Sequence, residues 1–214
     1  QDEQILENSF QPSRSMEAAV KNKTGIKNIT SRLESFLLIS SGEDTKGCII
    51  LGINPMQEDS ISLLKKKLIQ GSYLNPEDDA VLIGEGLSKK LKLGVNDTVI
   101  LIGQGYHGSS AALKTGIHGI VQLGSPKLND RIIYMPLQAT QILFSADSLI
   151  TAYIILLNED VDPDALDLDG EEEDYKKIHI SFVKPIYFFQ GYYKKGLQCP
   201  SCSVKAFIVK EEDE

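Results

Sequence analysis

Between Gly84 and Pro136 the chain reads GEGLSKKLKLGVNDTVILIGQGYHGSSAALKTGIHGIVQLGSPKLNDRIIYMP, and this stretch sets the tightest limits on the fold. Its patterning predicts a short helix, a Val95-Asn96-Asp97 turn, a strand, a glycine-rich loop, a second strand and a closing hairpin. Glycines and small polar residues abound in it, yet it offers no convincing set of acids, bases or nucleophiles. Such a makeup points to a mechanical or binding domain rather than to an enzyme.

The flanking sequence extends the same pattern. Ser15–Asn22 reads as a helix, with Ser15 as N-cap and Met16, Ala19 and Val20 on one face; Gly25 ends it. Ile29–Ser40 reads as a strand, Ser41–Asp44 as a turn and Lys46–Ile53 as the returning strand, broken by Asn54-Pro55. Asp59–Gln70 has Ile61, Leu64 and Leu68 at helical spacing, with Asp59 or Ser60 as cap and Gly71 as stop. Short strands are expected at Ala80–Ile83, Thr98–Ile102, Gly116–Leu123 and Arg131–Met135, with Ser125–Asp130 as a loop. Helices are expected at Gly84–Leu91 and Leu137–Phe144, and a strong strand at Thr151–Leu157. Strands and helices interleave irregularly, with several hairpins, so the expected class is α+β with mixed sheets and short helices, not a regular βαβ series.

Composition narrows the function classes. The 214 residues suffice for one ordinary domain or two small lobes with a real core. A formal net charge of −8 argues against nucleic acid, whose phosphates need clustered Lys and Arg. Much of the acidity lies in Asp160–Asp174 and Glu211–Glu214; the former is too acidic to bury and reads as a linker. The aromatic-rich Tyr175–Glu214 differs in character and either adds strands or forms a small appended module. The longest apolar runs, such as Ala152–Leu157, fall far short of the roughly 20 residues a spanning helix needs. The chain opens on Gln1 without an initiator Met or signal peptide, which is expected of a piece processed or excised from something longer.

Each candidate for chemistry has a plainer counterpart. Gly103-Gln104-Gly105-Tyr106-His107-Gly108 matches the dinucleotide fingerprint after a strand, with Asp130 at a suitable distance. Ser109–Lys114 is too short for the helix that would point at a pyrophosphate, so a flexible hairpin loop is the expected reading. His107 with Asp130, or Ser109 with His107, would be catalytic pairs only if an orienting acid and an oxyanion hole joined them. Cys199 and Cys202 form a CPSC pair at zinc-ligand spacing, to which Cys48 and His179 are the remaining additions; a structural site wants four ligands. Ser203–Val209 looks like a strand, not the helix of a redox pair, so an incidental pair or half of an incomplete knuckle is the simpler reading. Cys48, within an apolar run, reads as a small core residue, and Arg32, Glu34 and Lys65–Lys67 as solvated faces. No catalytic, cofactor-binding or metal residue is therefore assigned. The candidate site is a partner-contact loop over Gly103–Gly108.

Five segments carry a family likeness: LENSF (Leu6–Phe10), RLESFLLISSG (Arg32–Gly42), GINP (Gly52–Pro55), Leu82–Gly108 and GSPKLNDRIIYMPLQATQILF (Gly124–Phe144). In this order the chain resembles the extracytoplasmic core domain of ABC-transporter permeases of the macrolide-exporter and lipoprotein-releasing type. The likeness covers about residues 5–160, and GEGLSKKLKLGVNDTV and GQGYHG are its most specific parts. Where the family pattern has Gly-Asp this chain has Asn96-Asp97, which still suits a tight turn.

The resemblance implies a two-lobed domain over 1–160, inserted between the first and second membrane helices of a four-helix permease, on the periplasmic side of a bacterial inner membrane. It implies a second permease copy and a cytoplasmic ATPase subunit as partners, with a lipoprotein or periplasmic protein as a further candidate. ATP-driven motion of the outer domains would then extract or export a substrate, lipoproteins among the candidates, without catalytic residues or a cofactor in this domain. Residues 161–174 are expected as an acidic linker and 175–214 as a tail that nothing in the family matches. Two rival readings remain open at this point. One is a small-ligand or nucleotide-binding enzyme centred on Gly103–Gly108. The other is a zinc-stabilised interaction module in the tail.

Overall fold

The computed structural model describes residues 5–158, 181–182, 195–198 and 205–209. These fall into two compact units, one drawn from 5–7 and 33–148, the other from 8–32 and the residues after 148. The chain is α+β with mixed sheets and short helices, as the sequence predicts.

The first elements are helix α1 (Arg14–Lys21) and the long strand β1 (Ile26–Ser40). Helix α1 begins one residue ahead of the expected start. The Ser13 carbonyl accepts the Glu17 N–H at 2.9 Å, so Ser13 holds the cap position and Ser15 lies inside the first turn. The hairpin partner of β1 is β2 (Thr45–Ile53), across a turn in which Ser41 N–H donates to the Asp44 carbonyl at 3.0 Å.

After β2 the structure corrects the sequence reading. The expected helix Asp59–Gln70 is instead helix α2 (Pro55–Ser62), a 3-10 turn at Leu64–Lys67 and strand β3 (Leu68–Gly71). The start signal is Asn54, whose Oδ1 accepts from the N–H groups of Met56 and Gln57 at 3.1 and 3.2 Å, with Pro55 opening the helix. Asp59 caps the following turn instead, accepting Lys65 N–H at 2.7 Å, while Leu63 leaves the helix at φ +50°. Lys65 and Lys66 are exposed as expected, on that turn and not on a helix.

Strand β4 (Val81–Gly84), helix α3 (Glu85–Leu91) and strand β5 (Thr98–Gln104) follow closely where expected. Strand β6 (Ser110–Val121) begins six residues early, because Ser110–Thr115 pair with β5 instead of looping. The expected loop at Ser125–Asp130 contains a short helix α4 (Pro126–Asn129). It folds because the buried Asn129 amide clamps Leu123 on both sides: Leu123 N–H donates to Oδ1 at 2.7 Å and Nδ2 donates to the Leu123 carbonyl at 2.8 Å. Strand β7 (Ile132–Pro136) and helix α5 (Leu137–Leu143) complete this unit.

Its strand pairings form a closed circuit, β1–β2–β7–β4–β6–β5 and back to β1. β2–β7 and β4–β6 are parallel; β4–β7, β5–β6 and β1–β5 are antiparallel. Along β6, the partner β5 occupies Ser110–Gly116 and β4 takes over from Ile117, with β3 also paired near Gly119–Val121. Leu33, Ile39, Ile50, Val81, Ile83, Leu101, Val121 and Ile133 are fully buried in this unit. Each such side chain contributes about 1.5–3 kcal/mol relative to exposure.

In the other unit, residues 26–32 of β1 run antiparallel to β8 (Ala152–Leu157), which is buried along its whole length. Phe10 and Ile150 exchange both backbone hydrogen bonds at 2.9 Å, and the Phe10 ring sits 5.7 Å from that of Tyr153. Arg32, expected on a solvated face, is 3 % exposed. It stands opposite Ala152, its carbonyl accepts from Thr151 N–H at 2.8 Å, and its long stem is drawn in with the enclosed strand. Beyond β8 come β9 (Ser181–Phe182), β10 (Lys195–Gln198) and β11 (Lys205–Val209), the last parallel to β8. The expected acidic linker 161–174 lies outside the described residues, as does most of 175–214.

Candidate functional site

The glycine loop is the tip of the β5–β6 hairpin. Gly103 and Gln104 belong to β5, opposite Ala111 and Ser110. Gly105 N–H donates to the Ser109 carbonyl at 2.7 Å, and Tyr106 N–H donates to the Phe144 carbonyl at 2.8 Å, which ties the tip to the end of α5. Gly105 is buried there, since a β carbon on it would meet Ser109 Oγ and lie 2.6 Å from the Phe144 carbonyl oxygen. His107 takes the left-handed conformation, φ +52°, and Gly108 follows at +77°. The His107 ring is exposed and packs on the half-buried Tyr106, centroids 4.0 Å apart and tilted by 52°.

This geometry disposes of the phosphate cradle. A dinucleotide fingerprint needs its glycines to open a helix whose free N–H groups face the anion. Here an antiparallel strand follows, and its N–H groups serve β5.

The imagined catalytic pairs are not assembled. Asp130 lies 2.7 Å from Lys90 Nζ, a surface ion pair between the end of α4 and helix α3. Ser109 Oγ is buried and has no hydrogen-bond partner among the described residues, so His107 does not activate it. Cys48 is a free, buried thiol, and burial pushes its pKa up from 9.0 to about 12. Such a group is protonated and inert, consistent with its reading as a core residue. No group of three or more metal-ligating side chains occurs among the described residues. Cys199, Cys202 and His179 lie outside them.

Two features escaped sequence reasoning. His118 Nδ1 stands 3.3 Å from Asp78 Oδ2, joining β6 to the turn before β4, a pairing of residues forty apart that no local pattern marks. Phe36, Leu38, Ile100 and Ile102 form an exposed apolar stripe on neighbouring β1 and β5, with Leu38 opposite Ile102. Its signal was present in SFLLIS, where both faces of a strand are apolar.

The comparison with known families decides the identity. The model of the MacB-like periplasmic core domain matches residues 3–168. The chain belongs to this family. It is thus a periplasmic core domain of the ABC-transporter permease type, an extracytoplasmic part of a membrane protein, as the sequence resemblance implied. No helix among the described residues is long and apolar enough to cross a membrane.

No curated protein matches the chain. Among solved structures it is similar to the extracellular domain of the noncanonic ABC-type transporter YknZ from Gram-positive bacteria: 17% identity, 70% of this chain, 76% of that one, TM-score 0.47. It is also similar to the periplasmic region of MacB from Actinobacillus actinomycetemcomitans: 17% identity, 72% and 69% covered, TM-score 0.49. A domain of a putative permease from Porphyromonas gingivalis gives 20% identity, 70% and 64% covered, TM-score 0.41.

Proposed function

We propose that this MacB-like core domain is a non-catalytic transmission element. Driven by a cytoplasmic ATPase through the membrane part of its permease, and paired with a second permease copy, it extracts or exports a substrate on the periplasmic side of the inner membrane. Lipoproteins are among the candidate substrates. The family match over residues 3–168 carries this reading. The dispersal of chemistry-bearing side chains supports it: Asp130 is held by Lys90, Ser109 Oγ is enclosed, and His107 stands at a hairpin tip.

The tip Gly103–Gly108 is the proposed contact surface for a partner. Gln104, His107 and Gly108 are exposed, while the backbone beneath them is tied to Ser109 and Phe144. A contact surface gains from such preorganisation, because less ordering entropy is lost on docking.

The test uses the whole permease with its ATPase. Deleting this domain is expected to leave basal ATP hydrolysis and abolish export; export that persists would overturn the transmission role. His107→Ala is expected to lower export several-fold with unchanged melting temperature and hydrolysis. Full export by that variant would remove the loop from the mechanism and leave the transmission role standing.

A further inference from the structure

An open groove of about 550 Å³ crosses the outer face of the unit formed by 33–148, lined by Phe36, Leu38, Gly47, Ile102, Gly103 and Arg131. It runs over adjacent strands, from β5 across β1 and β2 to the residue preceding β7. At the β5–β1 end its walls are apolar: Phe36 and Leu38 are each 49% exposed and Ile102 is 47% exposed. Leu38 lies opposite Ile102, so these apolar groups are contiguous, the arrangement in which exposed apolar surface serves binding. In the middle, Gly47 leaves the space open, since a β carbon there would meet nothing within 4 Å. At the far end the Arg131 side chain is exposed and forms no ion pair or side-chain hydrogen bond among the described residues. Its backbone is fixed, with the carbonyl accepting Ile49 N–H at 2.7 Å and the N–H donating to the Leu128 carbonyl at 2.9 Å.

We propose that this groove binds a single-chain anionic amphiphile, a long-chain fatty acid, with its hydrocarbon along Phe36, Leu38 and Ile102 and its carboxylate on Arg131. The volume falls in the range of small-molecule sites, which combine apolar walls with few polar anchors. Charge and apolar surface lie at opposite ends of one groove, as head and tail do in such a molecule. A peptide docking as an added strand is ruled out for a backbone reason. The floor strands are flanked on both sides, β1 by β5 and β2, and β2 by β1 and β7. Strand addition needs a free edge, and an extended peptide without one would bury amides with no partners. A hydrocarbon chain has no such groups to satisfy.

The test titrates the 214-residue chain with a conjugated-polyene fatty acid whose fluorescence rises in apolar surroundings. Saturable one-to-one binding is expected. Arg131→Gln should weaken it about tenfold or more, since a charge-assisted hydrogen bond is lost. Gly47→Leu should abolish it by filling the groove, with a melting temperature close to that of the parent. An alkyltrimethylammonium of equal chain length should bind at least tenfold more weakly. Absent binding, or binding unmoved by both Arg131→Gln and Gly47→Leu, overturns the proposal. A concentration-dependent dimer in light scattering that Leu38→Glu dissolves also overturns it, by assigning the face to a second copy. Should Gly47→Leu fail to fold, Arg131→Glu, a change at an exposed side chain, decides the matter alone: undiminished affinity refutes the proposal.

Discussion

Gly52 on β2 and Thr140 on α5 touch so closely that a β carbon at Gly52 would lie 2.7 Å from the Thr140 β carbon. Thr140 is fully buried and its hydroxyl is satisfied by the Pro136 carbonyl at 3.0 Å, so it has nowhere to retreat. Helix α5 thus seats on β2 through the absence of a side chain. Gly52→Ala is expected to destabilise the protein by about 1–3 kcal/mol through overpacking. Urea unfolding would show it as a lower midpoint at unchanged slope. An unaltered midpoint would mean that α5 shifts freely.

Asn96 occupies a turn position that favours glycine. Its φ is +70°, a left-handed conformation in which glycine is at ease and asparagine is tolerated. The turn is held by Asn96 N–H donating to the Ile117 carbonyl at 2.9 Å, and by Gly94 N–H donating to Asp97 Oδ2 at 2.7 Å. Asn96→Gly is expected to change stability by less than about 0.5 kcal/mol. Asn96→Val should cost about 1–2 kcal/mol, since a β-branched residue is an outlier at positive φ. Thermal unfolding of the two variants side by side checks the ordering; equal losses would refute the conformational argument.

Cys48 gives a pH prediction with a definite sign. Burial raises its folded pKa from 9.0 to about 12, so the folded state holds this proton more tightly than the unfolded chain. The resulting stability is fully present below pH 9 and is lost as pH rises toward 12. In a chain carrying Cys199→Ser and Cys202→Ser, a thiol reagent at pH 8 should label Cys48 only as fast as the protein opens. Rapid stoichiometric labelling under native conditions would show that the thiol is accessible.

The stretch from β4 to β5 is the most legible part of the sequence, because its signals are local. Gly84 before EGLSKKL, the Val95–Asp97 turn and the apolar alternation of Thr98–Ile102 each act within a few residues, and α3 and β5 fall where they predict. Asn54-Pro55 was equally local, yet the helical spacing of Ile61, Leu64 and Leu68 competed with it. Pairing of Leu68–Gly71 with β6 settled that contest in favour of a strand.

The candidate loop shows the same divide. GQGYHG alone carries both a nucleotide fingerprint and a hairpin tip; the shortness of Ser109–Lys114 already favours the tip, and the pairing of Ser110–Gly116 with β5 shows it. Arg32 likewise bears a solvent-seeking charge, and burial came from its place opposite an enclosed strand.

Residue order thus determined the α+β class, the turns, the β1–β2 and β5–β6 hairpins and the family likeness, since these follow from short-range sterics, capping and periodicity. The closing hairpin expected before Pro136 does not form, because β7 pairs with β2 and β4 instead of β6. Strand partners distant in sequence decided the circuit of β1, β2, β7, β4, β6 and β5, and brought Phe36, Gly47, Ile102 and Arg131 along one groove. Those partnerships depend on burying two apolar faces together, a choice made by the whole chain and written in no single segment.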